Sequence, residues 1–289
     1  MDIASLLIQV LNGVQYGLLL FLVASGLTLV FGVMGIINLA HGSFYMIGAY
    51  MAFTLSSLTG NLFLAIALGI VLSIVLGIAL EWAFFARLYR RDHLEQVLLT
   101  YGLILVFEEL RSLVAGNDVH GVAMPQALSG SISLTSVLSY PVYRLFMSGV
   151  CLALAGGLYL LIHRSRIGMM IRAGASNREM VQSLGIDIQL VYRVVFGVGV
   201  ALAAFAGMIA APVSSVYPGM GTQVLIICFV VVVIGGIGSV WGALAASLLV
   251  GLVDTFGRVL LPNAAGLSVY VVMAVVLLWR PEGLFRRAA

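Results

Sequence analysis

The sequence of 289 residues contains no lysine; all 14 of its basic residues are arginines. That absence excludes chemistry: a Walker A phosphate loop needs a lysine reaching the terminal phosphates, and Schiff-base catalysis needs a lysine amine. Any ATP hydrolysis that drives this protein therefore belongs to another chain. Charge is scarce as well. Charged residues make up 9% of the sequence against 62% hydrophobic, the mean hydropathy is +1.17 and the formal net charge is +3. No soluble domain with a polar surface tolerates that balance, so the chain reads as an integral membrane protein. The two cysteines, Cys151 and Cys228, lie inside apolar runs and read as small core residues that leave the redox compartment open. His41, His93, His120 and His163 are scattered, without cysteine or carboxylate partners at ligand spacing, so no metal site is expected. Asp2 stands where a secretory signal carries positive charge, and the apolar run behind it outlasts a signal segment. The N-terminal segment is therefore expected to stay as a span.

What is present is a succession of apolar runs. A helix needs roughly 20 such residues to cross the hydrocarbon, and the runs predict spans near 6–31, 36–58, 62–85, 95–114, 142–162, 191–211, 222–237, 240–260 and 265–279. The expected fold is an all-α polytopic transmembrane bundle of about eight to ten spans, a single transmembrane domain over residues 1–289. The run from Ile3 to Leu58 is interrupted only by glycines and by INLAHG, which reads either as a hairpin or as a span followed by a broken helix. Orientation follows from arginine. Arg87, Arg90 and Arg91 fall in one linker; Arg164, Arg166, Arg172, Arg178 and Arg193 in a second; Arg280, Arg286 and Arg287 in the tail. The positive-inside rule places all three in the cytoplasm, with a cytoplasmic C-terminus and, for nine spans, an N-terminus outside. Segments 115–140 and 212–221 carry no arginine and are expected to face outward. The 33 glycines need no functional reading in the main, because small residues are how spans pack in lipid.

Between two apolar runs lies GASNREMVQSLGIDIQLVY, Gly174–Tyr192. Ser176 and Glu179 form the S-x-x-E pattern of a capping box, and Gly185 supplies a left-handed helix stop. Met180, Val181 and Leu184 make a small apolar face flanked by Arg178, Glu179 and Gln182. The segment is either an amphipathic helix lying on the lipid interface or a knob for a cytoplasmic partner. The narrow face, without Trp or Phe anchors, favours the partner. Farther upstream, Asn38, His41 and Tyr45 fall at i, i+3 and i+7, one face of a helix, with Gly42 and Ala49 leaving room beside them. Polar groups at that depth line a pathway or tie helices together. Glu108, Glu109 and Arg111 read as local ion pairing, and GGIGSVWG (Gly235–Gly242) as tight packing or a hinge, because no strand precedes it.

Taken together, GASNREMVQSLGIDI with the small-residue run after it, GIINLAHGSFYMIGAYMA, VVVIGGIGSVWGALAASLLVG and LLWRPEGLFRR resemble the permeases of branched-chain amino acid ABC importers, from about residue 6 to 287. The loop lacks the full EAA-type consensus of other ABC permeases. The resemblance implies an ATP-driven importer carrying leucine, isoleucine or valine across the bacterial inner membrane. It is built from two permease subunits (the second a different chain), two cytoplasmic ATPases that bind ATP and magnesium, and an extracytoplasmic binding protein. It also implies that the loop about 163–193 carries the ATPase-coupling helix: Ser176, Asn177, Arg178, Glu179, Met180, Val181, Leu184 and Gly185. The translocation path is expected at Asn38, His41, Gly42 and Tyr45. No catalytic residue, cofactor, metal or nucleic acid is expected for this chain. The alternatives are a related permease for other amino acids, amides or urea, and an ion-coupled secondary transporter. An intramembrane hydrolase built on His41 and Ser43 is disfavoured, since two residues apart on a helix they diverge.

Overall fold

A computed structural model describes residues 3–89, 91–135 and 138–285; Arg90, Arg286 and Arg287 lie outside the described residues. Its main elements are α1 (Ile3–Met34), α2 (His41–Thr59), α3 (Leu62–Ala83), α4 (His93–Ala115), the strands β1 (Ser131–Thr135) and β2 (Leu138–Pro141), α5 (Val142–Arg164), α6 (Arg166–Ser176), α7 (Arg178–Ser183), α8 (Ile188–Ser214), α9 (Met220–Gly235), α10 (Val240–Leu260) and α11 (Ala265–Trp279). Each of the nine expected spans meets a helix among the described residues. Five of them, α1, α3, α5, α8 and α10, are long and apolar enough to cross a bilayer on that ground alone. The fold is an all-α polytopic bundle.

Two helices form its centre. The most apolar stretch of α1 is 89% buried and that of α8 78%, whereas α3 and α5 bury 28% and 22%. Side chains on the central pair are small where backbones meet. A Cβ on Gly26 would stand 2.7 Å from the carbonyl oxygen of Gly199, and one on Gly17 2.8 Å from that of Ser247 on α10. In lipid, where apolar burial gives helices no reason to prefer one another over solvent, such approach supplies the dispersion that holds them.

The two ends of the bundle are marked by contacts between distant segments. Loops 116–130 and 215–219 join through a two-bond antiparallel bridge, His120 with Val216, both at 2.8 Å. At the opposite end the last turn of α3 meets the second turn of α8, where Arg193 Nε lies 3.3 Å from Glu81 Oε2. The tail arrives there too, with Leu284 N–H donating to the Ile234 carbonyl at 2.8 Å and Phe285 N–H to that of Gly235 at 3.2 Å. The described arginine-bearing linkers therefore share one end and the arginine-free loops the other. The hairpin β1–β2, in the arginine-free loop, is the one pair of strands among the described residues, and Tyr140 anchors it to Asn12 of α1 at 3.1 Å.

Candidate functional site

The segment between α5 and α8 holds two helices rather than one. Helix α6 is started by Ser165, whose Oγ accepts from Gly168 N–H at 2.9 Å, and runs through Ser176. Ser176 is thus the last residue of α6 and not the cap expected for the next helix. That cap is Asn177, one residue later, whose Oδ1 accepts from Met180 N–H at 3.0 Å. Asparagine caps as well as serine, and an extended Asn177 (φ −151°, ψ 100°) both ends α6 and opens α7. The expected stop holds: Gly185 has φ +79°, its N–H donates to Gln182 O at 2.9 Å, and Ile186 N–H donates to Val181 O at 3.3 Å, the paired bonds of a Schellman turn.

The apolar face of α7 is divided. Val181 is buried in the core cluster, 4% exposed, while Met180 is 63% and Leu184 74% exposed. Val181 fastens a six-residue helix that is too short to persist alone. Met180 and Leu184 remain outside with Arg178 and Glu179 beside them. The Arg178 guanidinium also reaches back to α1, lying 3.8 Å from where a Cβ of Gly35 would be.

Gly35 (φ +69°) turns the chain out of α1 and begins the second candidate region. The span expected from 36 is helical only from His41. Residues 35–40 are non-helical yet interior, with Ile36, Asn38 and Ala40 at most 1% exposed. Non-helical backbone at membrane depth is tolerated only where protein or a cavity surrounds it. The depth can be gauged from His41, whose Nε2 hydrogen-bonds the Val23 carbonyl at 3.0 Å. Val23 stands eleven positions before the end of α1, about 16 Å along the helix. Helix α2 therefore starts well inside the bundle, a broken helix rather than a hairpin.

Asn38 accordingly does not share a helical face with His41 and Tyr45. It sits in the turn before α2, its Oδ1 accepting from Ala40 N–H at 3.1 Å and its carbonyl from His41 N–H at 3.3 Å. Asn38 Nδ2 and His41 Nδ1 are buried without a hydrogen-bond partner. Gly42 packs on α9, where a Cβ would fall 2.2 Å from the Gly221 oxygen, and the Tyr45 carbonyl lies 2.0 Å from the Cβ position of Gly207. The structure brings His41, Gly42 and Tyr45 together on one buried length of α2, with Asn38 just before it.

Sequence reading missed one cluster at the arginine-rich end. Glu81 is fully buried, ion-paired to Arg193 and accepting a hydrogen bond from the Tyr89 hydroxyl. Burial and the neighbouring carboxylate hold the Tyr89 phenol above its usual range, so it stays the donor. An acid in the last turn of one apolar run and an arginine in the first turn of another, both assigned to one end, was the available signal. Arg111, by contrast, pairs with Glu108 at 3.1 Å as expected, and it also donates to the Gly116 carbonyl at 2.6 Å.

Comparison with known proteins places this geometry. The protein BraD of Pseudomonas aeruginosa, a high-affinity branched-chain amino acid transport system permease protein, is 31% identical over 96% of this chain and 95% of its own. LivH of Escherichia coli K12, of the same description, is 30% identical over the same shares, and a probable LivH of Methanocaldococcus jannaschii 26% over 96% and 91%. A chain of PsaBC from Streptococcus pneumoniae, solved in complex with Fab, superposes with a TM-score of 0.50 at 14% identity over 93% of this chain and 89% of that one, a likeness of fold. The family described as branched-chain amino acid transport system, permease component, matches residues 9–279. Matched over nearly its whole length, the chain is a multi-pass membrane protein that belongs to this family of transport permeases.

Proposed function

We propose that this chain is a permease subunit of an ATP-driven importer that moves branched-chain amino acids into the cytoplasm, with α7 as the helix on which the ATPase acts. The observation that carries the reading is the divided face of α7: Val181 anchored in the bundle, Met180 and Leu184 left bare. A helix meant to lie in lipid would turn its whole apolar face one way. Exposed apolar residues set between charged ones suit the groove of a protein partner instead. The absence of lysine supports a separate ATPase carrying ATP and magnesium. The full assembly would add a second ATPase copy, a second and different permease chain and an extracytoplasmic binding protein, in the bacterial inner membrane with the arginine-rich end and the C-terminus in the cytoplasm. The substrate class rests on relatives whose names state it.

The same geometry suggests how a push travels. Arg178 opens α7 and faces Gly35, and Gly35 begins the non-helical stretch that leads to the start of α2. We place the translocation path beside that start, at Asn38, His41, Gly42 and Tyr45, in a closed state. A buried donor without a partner, Asn38 Nδ2, and a helix N-terminus inside the bundle would favour a carboxylate passing by, while His41 Nδ1, left an acceptor because Nε2 donates to the Val23 carbonyl, would favour the ammonium group.

ATP-dependent leucine uptake into liposomes carrying the complete assembly tests both parts. Leu184→Asp is expected to abolish uptake and stimulated ATPase activity while membrane insertion persists, because a carboxylate would have to be desolvated at the contact. Asn38→Leu is expected to slow uptake with ATPase association unchanged. Normal uptake by the Leu184 variant would refute the coupling role, and uptake driven by an ion gradient alone would make the chain a secondary transporter.

A further inference from the structure

Two cavities adjoin on one side of the bundle. The one at the arginine-rich end, about 760 Å³, opens between the ends of α1 and α5, helix α6 and the α9–α10 turn. Arg172, His163, Ser176 and Ser239 line it, and neither Arg172 nor His163 pairs with a carboxylate among the described residues. Thr28 lines it as well; it is 1% exposed and its hydroxyl has no hydrogen-bond partner. The N-terminus of the 21-residue α10, capped by Ser239, forms part of the wall, and aligned peptide dipoles favour an anion there.

The second cavity, about 250 Å³, continues from the shared residues His163 and Trp241 along α5 and is otherwise lined by apolar groups such as Phe21, Leu152, Gly156 and Leu244. From Leu152 to His163 the helix rises about 16 Å, close to half of a hydrocarbon layer roughly 30 Å thick. At the junction Tyr159 stacks on His163 with ring centroids 4.5 Å apart and lies 5.4 Å from Trp241. Aromatic residues with polar tips settle at this level of a bilayer.

A cationic, hydroxyl-bearing mouth joined to an apolar groove one leaflet deep fits a molecule with an anionic head and an acyl tail. We propose that this seam binds an anionic phospholipid, its phosphate held by Arg172 and Thr28 and one acyl chain laid along Leu152 and Gly156. A free phosphate would satisfy the mouth and leave the groove unused. A second permease chain would cover the groove without needing the cationic mouth. The assignment holds whichever leaflet the arginine-rich end faces, so it stands apart from the import reading.

Native mass spectrometry of the full-length chain, with phosphatidylglycerol or phosphatidylcholine added to the detergent, tests it. Retention of phosphatidylglycerol is expected to exceed that of phosphatidylcholine by about tenfold, the order given by one cationic contact with its hydrogen bonds. Arg172→Gln should bring the two lipids level. Because Arg172 also bonds the Ile162 carbonyl, a second variant guards against a folding defect: Gly156→Leu fills the groove at a position where a Cβ meets nothing within 4 Å. It should release the lipid while the chain stays folded. Equal retention of both lipids, displacement of phosphatidylglycerol by millimolar inorganic phosphate, or a Gly156→Leu variant that splits a permease pair with lipid retention unchanged would each overturn the proposal.

Discussion

Glu81 shows what one residue does when an apolar bundle encloses a charge. Its carboxylate is out of water, and its compensation comes from Arg193, itself about a third exposed, and from the Tyr89 hydroxyl. Taking away one member of such a pair leaves the other uncompensated, at a cost of about 3–5 kcal/mol for a fully buried pair. Glu81→Leu is therefore expected to destabilise the detergent-solubilised protein markedly, toward the lower end of that range because Arg193 can reach water. The double variant Glu81→Leu/Arg193→Leu should recover most of the loss. Thermal unfolding followed by fluorescence measures both, and a double variant no better than the single would show that the pair is not what matters. Residue identities of this sort were only partly legible in advance. The stop at Gly185 was readable because only the backbone demands it. The start falls one residue later than the sequence suggests, since Ser176 and Asn177 both cap well and the choice belongs to α6, an 11-residue amphipathic helix too short and mixed to stand out as an apolar run. The pairing of Glu81 with Arg193 depends on α3 lying against α8, which no local pattern encodes.

At the scale of elements, the crossing of α2 and α8 is set by backbone contact. A Cβ on Gly48 would lie 2.0 Å from the Ala204 oxygen, and one on Gly207 3.0 Å from the Ala49 nitrogen. Neither obstruction is a flexible side chain that can swing aside. Gly48→Ala should therefore force the helices apart and cost about 1–3 kcal/mol, as overpacking of a tight core does. Gly149→Ala on the outer face of α5, where nothing lies within 4 Å, is expected to be close to neutral. Folded yield and thermal stability of the two variants compare them directly; equal behaviour would mean that α2 and α8 have slack that their contacts do not suggest. The helices themselves were legible from apolar run length, which is a one-dimensional quantity. The start of α2 was not, because residues 36–40 are as apolar as a span and become non-helical only through the turn at Gly35.

Over the whole molecule, arginine distribution and contacts agree on two ends but leave their sides to experiment. Cys151 and Cys228 are both buried, so an introduced cysteine reports against little background. With a membrane-impermeant maleimide on intact cells, Ser129→Cys is expected to be labelled and Gln182→Cys only after permeabilisation. The reverse pattern would invert the orientation and remove α7 from the reach of a cytoplasmic ATPase. One feature of the arginine-rich end bears on how the molecule is made. The carbonyls that finish α9, at Ile234 and Gly235, are closed by amides of Leu284 and Phe285, with Gly236 and Gly283 in left-handed turns so that the two backbones can touch. A nascent chain synthesises α9 long before those amides exist. The helix end must wait open through the insertion of α10 and α11, and the bundle latches only when Leu284 and Phe285 arrive. A stop codon shortly after Trp279 would leave α1 to α11 whole and would still leave the end of α9 unfastened.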